Sequence, residues 1–548
     1  MTSFSHHLII TPILLPMLTA AILLFIDERN RTVKALISLA AVVLLVLNAA
    51  ILFRIESGPN DFDNVYLLGN WAAPFGIVLV IDGLSALMLL LASVLAVAAL
   101  IFSLARWHAV GAHYHSLFQL LLVGVNGAFL TGDLFNLFVF FEVMLAASYG
   151  LLLHGTGTLR VKAGMHYIAV NLVGALFFLI GVSLIYGTAG TLNMADLATR
   201  MPDIEPDRLI LMQAGAAVLG VAFLIKVGMW PLCFWLPTAY SAASAPVAGM
   251  FAILSKVGIY VILRLTMLLF GDGVSAGFGS QVLLFGGILT LIFGTIGVLA
   301  SQALGRLAGY SVLVSSGTLL MVLGINDGIV SSGALLYLVS STLTIGAFFM
   351  LIELVERGQD AGANVLAVTM EAYGDGEEHD VDEGEGVAMP GTLAILGICF
   401  AACGILLSGL PPLSGFIAKF AMLSAMMGTG SIGTTPGPAV WMLIVLVIFS
   451  GIAALISMTR AGIRTFWGSI EGTVPRVLVV EVVPVMFLLF LTLVLAIQAG
   501  PVMHYMDTTI RSLENPKQYI DAVRNAVVIE SSVPAFETET GETETGGS

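Results

Sequence analysis

Residues 209–240 read LILMQAGAAVLGVAFLIKVGMWPLCFWLPTAY, an apolar stretch of membrane-spanning length that contains one lysine and two prolines. Lys226 lies deep inside the stretch, and Pro231 and Pro237 follow it. Each proline lacks a backbone N–H, so a carbonyl is left free at membrane depth and must be satisfied by water or by a side chain. The stretch therefore predicts a membrane helix that is interrupted at a hydrated centre.

A second stretch of the same kind occurs in the C-terminal half of the chain. Within the apolar run 391–428, residues 408–419 read SGLPPLSGFIAK and combine Pro411 and Pro412 with Lys419. Prolines alone are tolerated in membrane helices, but here each break coincides with a lysine. Two interrupted helices at corresponding places of two halves predict a transporter with an inverted repeat and a pathway near the membrane centre.

The composition is that of a polytopic membrane protein. Of the 548 residues, 58% are hydrophobic and only 10% are charged, and the mean hydropathy is +1.01. The first apolar run follows no basic segment and has no small-residue cleavage site, so it predicts a retained helix and no signal peptide. The expected fold class is all-α with about 14 spans, at about 20 residues per crossing. The spans are predicted near 8–26, 34–53, 77–104, 115–132, 134–153, 164–187, 209–240 (broken), 245–270, 280–302, 308–326, 329–355, 391–428 (broken), 438–460 and 476–500.

These spans group into two predicted inverted repeats of five helices with flanking segments. The predicted sections are 1–106 (helices 1–3), 107–270 (first repeat, helices 4–8), 271–475 (second repeat, helices 9–13, with an acidic loop at 357–389), 476–500 (helix 14) and 501–548 (a polar acidic tail). The loop and the tail supply much of the net charge of -14, and both are expected to be solvated. Nothing in the chain predicts nucleic-acid binding.

The distribution of basic residues predicts the orientation. One set of loops holds eleven lysines and arginines, and the short loops on the other side hold three. Because basic loops stay in the cytoplasm, both termini are expected on the periplasmic side. The eleven are Arg29, Arg31, Lys34, Arg106, Arg160, Lys162, Arg306, Arg357, Arg460, Arg464 and Arg476, and the three are Arg54, Arg200 and Arg208.

Few charges remain inside the membrane. The basic ones are Lys226, Lys256, Arg264 and Lys419, and Glu142 is the clearest acid in the middle of a helix. A charged side chain at the bilayer centre costs about 2.5 to 3.5 kcal/mol on insertion scales, so such residues mark function by default. The inventory predicts a protein that moves protons or cations.

Glu142 and Lys226 are expected to act together. An isolated carboxyl in hydrocarbon would take up a proton, whereas a nearby ammonium would keep it ionised. The pair would form a switch in which the lysine holds its proton while the two groups are close and releases it when they separate. A static buried ion pair is the alternative, but burial often costs more than the attraction returns.

Lys256 extends this pair into a line. Residues 245–260 read APVAGMFAILSKVGIY, which places Lys256 on the helix after the first break and at a depth similar to that of Lys226. A lateral series from Glu142 through Lys226 and Lys256 to Lys419 results, with water bridging the gaps. We call these four residues the relay.

Arginine, histidine and cysteine residues outside the relay are predicted to have supporting or structural roles. Arg264 is too basic to release a proton and is expected to anchor the fold or to neutralise an acid such as Asp82. His166 could join the relay or could be a packing residue. The remaining histidines of interest are expected to be solvated in a turn rather than to bind metal, and the cysteines to be buried packing residues; these are His108, His113 and His115, and Cys233, Cys399 and Cys403.

The motifs around the relay resemble one protein family. They are DGLS at 82–85, Glu142, Lys226 with WLP at 235–237, AP at 245–246, KVGIY at 256–260, and GLPPLSGF at 409–416 followed by Lys419. This set is similar to the antiporter-like subunits shared by respiratory complex I, membrane hydrogenases and the multisubunit Mrp cation/proton antiporters. Residues 132–142, GDLFNLFVFFE, look most like the D subunit of the Mrp antiporters.

The resemblance implies a function, a location and partners. Glu142 and Lys226 would load a proton, Lys256 would relay it, and Lys419 would exchange it with the outside. The protein would lie in the bacterial inner membrane with other antiporter subunits, would exchange Na⁺ or K⁺ for protons, and would be neither an enzyme nor a cofactor protein.

Helix 11 departs from this pattern. Relatives often place histidine or lysine there, whereas this chain carries the hydroxyls of Ser341, Thr342 and Thr344. Hydroxyls order water but do not store a proton near neutral pH. The link from Lys256 to Lys419 is therefore expected to depend on water.

Two other functions remain open from the residues. A proton-pumping subunit of a redox-driven complex would use the same internal chemistry, and a single-chain solute carrier would also use broken helices. A carrier should work when expressed alone, whereas the resemblance implies that the isolated subunit will not. The sequence does not favour sodium over potassium.

Overall fold

The computed structural model describes residues 6–57, 64–271, 273, 275–325, 327–357, 391–428, 438–466 and 477–526. Nearly all of this chain is helical, and one short hairpin pairs Val65–Leu67 (β1) with Val78–Val80 (β2). The helices are α1 Thr11–Phe25, α2 Arg31–Glu56, α3 Gly83–Leu104, α4 Tyr114–Leu130, α5 Leu134–Leu153, α6 Thr158–Ala189, α7 Met194–Arg200, α8 Pro206–Val227, α9 Trp235–Ala242, α10 Ala245–Phe270, α11 Ser280–Ala300, α12 Leu304–Ile325, α13 Gly328–Glu356, α14 Gly391–Ser408, α15 Ser414–Gly428, α16 Pro438–Phe466, α17 Val479–Ile497, α18 Ala499–Glu514 and α19 Lys517–Arg524.

The predicted series of spans is confirmed within the described ranges. Twelve helices are long and apolar enough to cross a membrane, and α1 and α4 are shorter apolar helices at the first and fourth predicted positions. α10, α12 and α13 are the most buried of the twelve, so they form the centre of the bundle. We call the helix ends near Arg106, Arg160 and Arg357 the basic face, and the other ends the opposite face.

Both predicted breaks are present. α8 stops at Val227 because Gly228 adopts the left-handed conformation (φ 79°), and the chain resumes as α9. α14 stops at Ser408 in the same way, with Gly409 at φ 76°, and α15 follows. Pro231, Pro411 and Pro412 lie on the exposed surface of the subunit, whereas Pro237 is buried. The seventh and twelfth predicted spans, 209–240 and 391–428, are thus both broken. Each is the fourth span of its predicted five-helix repeat.

Two asparagines complete the hydrogen bonding of α1. Pro12 and Pro16 lack the N–H groups that would bond the carbonyls of Leu8 and Pro12. Asn48 Nδ2 donates to the carbonyl of Leu8 at 3.3 Å, and Asn126 Nδ2 donates to the carbonyl of Pro12 at 2.8 Å. Both asparagines are at most 5% exposed, so α2 and α4 supply what the proline-containing helix lacks.

Replacing Asn126 with leucine is expected to lower the free energy of unfolding by about 1–3 kcal/mol, because the carbonyl of Pro12 then stays buried without a donor. Pro16→Ala restores an N–H for the same carbonyl, so the cost of Asn126→Leu should shrink in that background. Thermal unfolding of the four proteins of this double-mutant cycle measures the coupling. Equal costs in both backgrounds would show that Asn126 does not serve this carbonyl.

A cap of short elements covers the opposite face. Val65, Val78, Val80, Ala195 and Val523 form a small apolar cluster that joins the β-hairpin, α7 and α19. The expected polar tail 501–548 is helical in its first part, and the sequence did not predict α18 and α19. These two helices are amphipathic, and their apolar sides pack on the bundle, so residues 499–524 belong to the fold.

An ion pair lies beneath the cap. Arg264 holds Asp82 with two hydrogen bonds, Nη1 to Oδ2 at 2.7 Å and Nη2 to Oδ1 at 2.8 Å. Tyr519 of α19 places its ring 5.4 Å from the guanidinium carbon. Burial raises the pKa of Tyr519 to about 12, so it remains neutral at physiological pH. The pair considered from the sequence is therefore an anchor at one end of α10, away from the relay.

Candidate functional site

Glu142 and Lys226 line one small cavity between α5, α6 and α8. Its volume is about 20 Å³, which is room for about one water molecule. No ion pair joins the Glu142 carboxylate and the Lys226 ammonium, so the two groups are more than 4 Å apart. Glu142 Oε1 is buried and has no hydrogen-bond partner in the described chain. The two groups thus share a cavity without an ion pair between them, and the switch expected from the sequence stays a prediction.

Neutral groups of α6 hold Lys226. Its Nζ donates to Asn171 Oδ1 at 3.4 Å and lies 5.6 Å from the centre of the Tyr167 ring. The Tyr167 hydroxyl is hydrogen-bonded to Ser148 Oγ at 2.8 Å. Lys226 is 3% exposed, so these contacts replace water around the ammonium.

Lys256 is completely buried and bonds to a hydroxyl. Its Nζ donates to Ser315 Oγ of α12 at 2.8 Å, and Ser315 Oγ lies 2.9 Å from Ser341 Oγ of α13. Ser341 in turn donates to the carbonyl of Leu338 at 3.2 Å. Either serine can be the donor in the hydrogen bond between them. Two hydroxyls therefore extend from Lys256 toward the second half of the protein.

A second cavity lies between this serine pair and the second broken helix. Its volume is again about 20 Å³, room for about one water molecule. Ser315, Ser341, Thr344 and Leu407 are among the residues that line it. Lys419 Nζ donates to the carbonyls of Leu407 at 3.2 Å and Ser408 at 3.0 Å. One water in the cavity would join the hydroxyls of α13 to the carbonyl that holds Lys419.

The prolines of the second break explain the site of Lys419. In a continuous helix the carbonyls of Leu407 and Ser408 would bond the N–H groups of residues 411 and 412. Pro411 and Pro412 have no such groups, so both carbonyls remain free for an ammonium. Gly451 keeps α16 close, since a Cβ there would lie 2.4 Å from the carbonyl oxygen of Ser408.

The helices that carry Lys226 and Lys256 pack closely against each other. A Cβ at Gly258 of α10 would lie 2.6 Å from Val227 Cγ2, so the helices of Lys226 and Lys256 touch there. In the described ranges no hydrogen bond joins the two lysines, because Lys226 bonds to Asn171 and Lys256 to Ser315. No chain of hydrogen bonds among the described residues therefore links Lys226 to Lys256.

Some predicted residues lie elsewhere. His166 is exposed on α6 and lines neither cavity, so the structure does not bring it to the relay. Thr342 donates to the carbonyl of Leu338 and also lines neither cavity. Thr344 lines the second cavity but donates its proton to the carbonyl of Ser340. Asp82 lies at the opposite face, as described above.

The histidine turn differs from its prediction. His115 is 4% exposed, and neither ring nitrogen has a partner, because α4 begins at Tyr114 and carries His115 into the bundle. His113 also has an acidic partner, with Nδ1 3.0 Å from Glu28 Oε1. Burial and the charge of Arg31 lower the pKa of His108. The expectation that these histidines are solvated is therefore wrong for His115, whereas His113 is exposed. The described residues contain no group of three or more potential ligands placed to hold a metal.

Sequence reasoning missed the residues that hold the lysines. Asn171, Tyr167 and Ser315 are neutral side chains in apolar helices. Ser340 was also missed; it contacts no lysine, but its Oγ bonds Ser414 Oγ at 2.8 Å across to α15. A polar residue on the buried side of a membrane helix is the signal that could have found them. All three cysteines are buried, as predicted.

Comparisons with known proteins cover the whole site. Residues 131–448 match the family described as "NADH:quinone oxidoreductase/Mrp antiporter, TM". The chain is 61% identical over 533 residues to the D subunit of a probable K(+)/H(+) antiporter of Rhizobium meliloti (strain 1021), covering 96% of this chain and 99% of that protein. It is 33% identical over 528 residues to the D subunit of a Na(+)/H(+) antiporter of Alkalihalophilus pseudofirmus, covering 94% and 99%. A chain in the structure of the Mrp complex from Dietzia sp. DQ12-45-1b superposes with a TM-score of 0.79 at 25% identity, covering 95% and 99%.

Proposed function

Because this chain belongs to the family of D subunits of Mrp-type cation/proton antiporters, we propose that it carries protons within a multisubunit antiporter for a monovalent cation. It is a subunit of a secondary transporter and not an enzyme. Its partners are the other subunits of the complex and the lipid bilayer. The curated relatives name potassium and sodium, and the proposal covers either ion.

The observation that supports proton transfer is the way the three lysines are held. Lys226, Lys256 and Lys419 are at most 6% exposed, and none of them has a carboxylate within 4 Å in the described chain. A lysine held by neutral oxygens is not locked in a permanent ion pair, so it can bind and release a proton. Three such lysines in one series suit proton transfer better than a structural role.

The proposed sequence of events follows the cavities. Glu142 and Lys226 take up a proton when they approach each other, and their separation sends it toward Lys256. Ser315 and Ser341 pass it to the second cavity, where water hands it to Lys419. The two sections 107–270 and 271–475 would act as the inverted repeats that carry the two halves of this route.

The distribution of charge supports an orientation. We assign the basic face to the cytoplasm, since basic loops are retained there. Both termini would then face the periplasm, and Lys419 would exchange its proton with that side. The membrane would be the bacterial inner membrane.

Proteoliposomes that contain the whole complex test the function. We expect a gradient of Na⁺ or K⁺ to drive proton flux without any electron donor. Flux that required quinone or hydrogenase chemistry would favour a redox-driven pump instead. Antiport by the isolated subunit would favour a single-chain carrier.

The serine link provides a sharper prediction. Ser315→Ala removes the acceptor of Lys256, and we expect proton flux to fall by about 10-fold, since a positioned proton-transfer group contributes about 100-fold and water partly replaces it. Ser93→Ala is the control, because Ser93 is a buried serine of α3 whose hydroxyl bonds the carbonyl of Leu90 and lines neither cavity. Equal flux in the two variants would remove Ser315 from the route.

A further inference from the structure

A cavity lined by several arginines opens at the basic face, where α9 ends and α10 begins. Its volume is about 390 Å³, so it can hold a ligand larger than a few water molecules. The charged residues that line it are Arg106, Arg160, Arg357, Glu353 and Glu356. We call this cavity the basic pocket.

The charges of the basic pocket fall into paired and unpaired groups. Arg357 is bound to Glu353 and to Glu481, so its charge is neutralised within the protein. Arg106 and Arg160 have no carboxylate within 4 Å in the described chain, and neither has Glu356 a cationic partner there. Two unpaired guanidinium groups therefore face one unpaired carboxylate, and this balance favours an anion as the ligand.

Arg160 is held beside the start of α10. Its Nε donates to the carbonyl of Ala242 at 2.9 Å, and its Nη1 donates to the carbonyl of His154 at 2.8 Å. A guanidinium has five N–H groups, and Nη2 makes no hydrogen bond to a described residue. Because Ala242 precedes the N-cap residue of α10 by only two positions, this free end of Arg160 is close to a helix N-terminus.

The N-terminus of α10 carries donors without acceptors. The helix runs for 26 residues, and the first N–H groups of a helix have no partner within it. Its N-cap residue, Ser244, makes no capping hydrogen bond with its side chain. Ser244 and Tyr240 both line the basic pocket and are 2% and 1% exposed, yet neither hydroxyl has a partner in the described chain. Since buried polar groups are nearly always satisfied, these two hydroxyls indicate a ligand.

We propose that the basic pocket binds a phosphate group at the N-terminus of α10, with hydrogen bonds from Ser244, Tyr240 and Arg160. Helix N-termini bind phosphate because their N–H groups and the helix dipole both favour negative charge. The guanidinium adds a charge-assisted hydrogen bond, and the two hydroxyls donate to further phosphate oxygens. Arg106, which is exposed, attracts the anion to the pocket.

Two sources can supply such a group. Inorganic phosphate would enter from the water at the basic face, and an anionic phospholipid would insert the phosphodiester of its headgroup. Both present oxygens with negative charge to the same donors. The site lies outside the relay, and binding of the phosphate group does not depend on proton transfer.

Protection of a single thiol measures binding. Ser241 lines the basic pocket, and the three native cysteines of the chain are buried, so Ser241→Cys provides one thiol that reagents can reach. The complete complex is placed in nanodiscs of phosphatidylcholine, and a polar thiol reagent labels this chain while inorganic phosphate replaces chloride at constant ionic strength. We expect bound phosphate to slow the labelling. Lys162→Cys is the control for the reagent, because Lys162 is exposed on α6 and does not line the pocket.

Two serines of α10 separate specific binding from a general effect of salt. In the Ser241→Cys background, Ser244→Ala should raise the phosphate concentration that gives half protection by about 10-fold, the value of one hydrogen bond to a charged group. Ser255→Ala is the matched control, since Ser255 is buried on the same helix, bonds the carbonyl of Ala252 and does not line the pocket. Equal values for the two variants would overturn the site. If Ser244→Ala does not assemble, Tyr240→Phe provides the same comparison.

Nanodiscs that contain phosphatidylglycerol distinguish the two sources. Slow labelling in these nanodiscs without added phosphate, relieved by Ser244→Ala and not by Ser255→Ala, would identify a lipid headgroup. Protection by inorganic phosphate in phosphatidylcholine alone would identify the free anion. Protection by neither would overturn the proposal. Proton flux is not part of this measurement, so that result would leave the proposed function intact.

Discussion

Lys226→Ala is expected to abolish cation-driven proton flux, with a loss of roughly 100-fold or more. Lys226 is the group that shares a cavity with Glu142, and the described residues around it offer no other amine at that point. Asn171 and Tyr167 would remain, but neither binds a proton near neutral pH. The measurement is proton flux in vesicles from a strain that expresses every subunit, with the complex quantified by purification.

The assembled complex should survive this change. Alanine removes a buried amine that has only one hydrogen bond, at 3.4 Å, so little packing depends on the charge. Lys162→Ala is the control, because Lys162 is exposed at the start of α6 and should have no effect on flux. Normal flux in an assembled Lys226→Ala complex would show that Lys226 does not take part in proton uptake.

Lys419→Arg is expected to be as inactive as Lys419→Ala, with a loss of the same order, roughly 100-fold. Arginine retains the positive charge and can donate to the carbonyls of Leu407 and Ser408. It does not release a proton at physiological pH, so it should end the route at the second break. Flux of the two variants, measured in the same vesicles, separates proton exchange from charge.

Each result for Lys419 has a distinct meaning. A working Lys419→Arg with an inactive Lys419→Ala would show that the position only needs a fixed cation for the two carbonyls. Because Gly409 places its Cα against the lysine stem, with a Cβ there lying 2.6 Å from Lys419 Cδ, the larger guanidinium must be checked for assembly. Assembly with no flux is the expected outcome.

The broken helices could be predicted because their cause is local. A left-handed glycine ends each first half, and prolines without N–H groups prevent the helix from continuing at Gly228 and Gly409. The cap could not be predicted in the same way. α18 and α19 are polar on average, and only their packing on α7, α10 and α13 makes them part of the fold.

The three buried lysines could be predicted because charged residues inside long apolar runs are rare and visible in the sequence, and their part in proton transfer stays a prediction. Their partners could not, since Ser315 and Asn171 are ordinary residues whose role depends on which helices meet. The predicted solvation of His115 was wrong for the same reason. Its place in a turn of the sequence does not show whether the first turn of the following helix points the side chain into the bundle. Tertiary packing therefore determines the hydrogen-bond partners of the lysines, whereas the buried lysines themselves are visible in the sequence.

In the proposed route, the hydroxyls of Ser315 and Ser341 between Lys256 and Lys419 would pass one proton at a time and in one direction. Each serine can take a proton from one side only while giving its own to the other, so no charge can rest between the two amines. After one passage both O–H bonds point the wrong way and must rotate before the next proton follows. Under the proposed function, discharge of Lys256 and recharging of Lys419 would therefore be one coupled event, followed by reorientation of both hydroxyls before the next turnover.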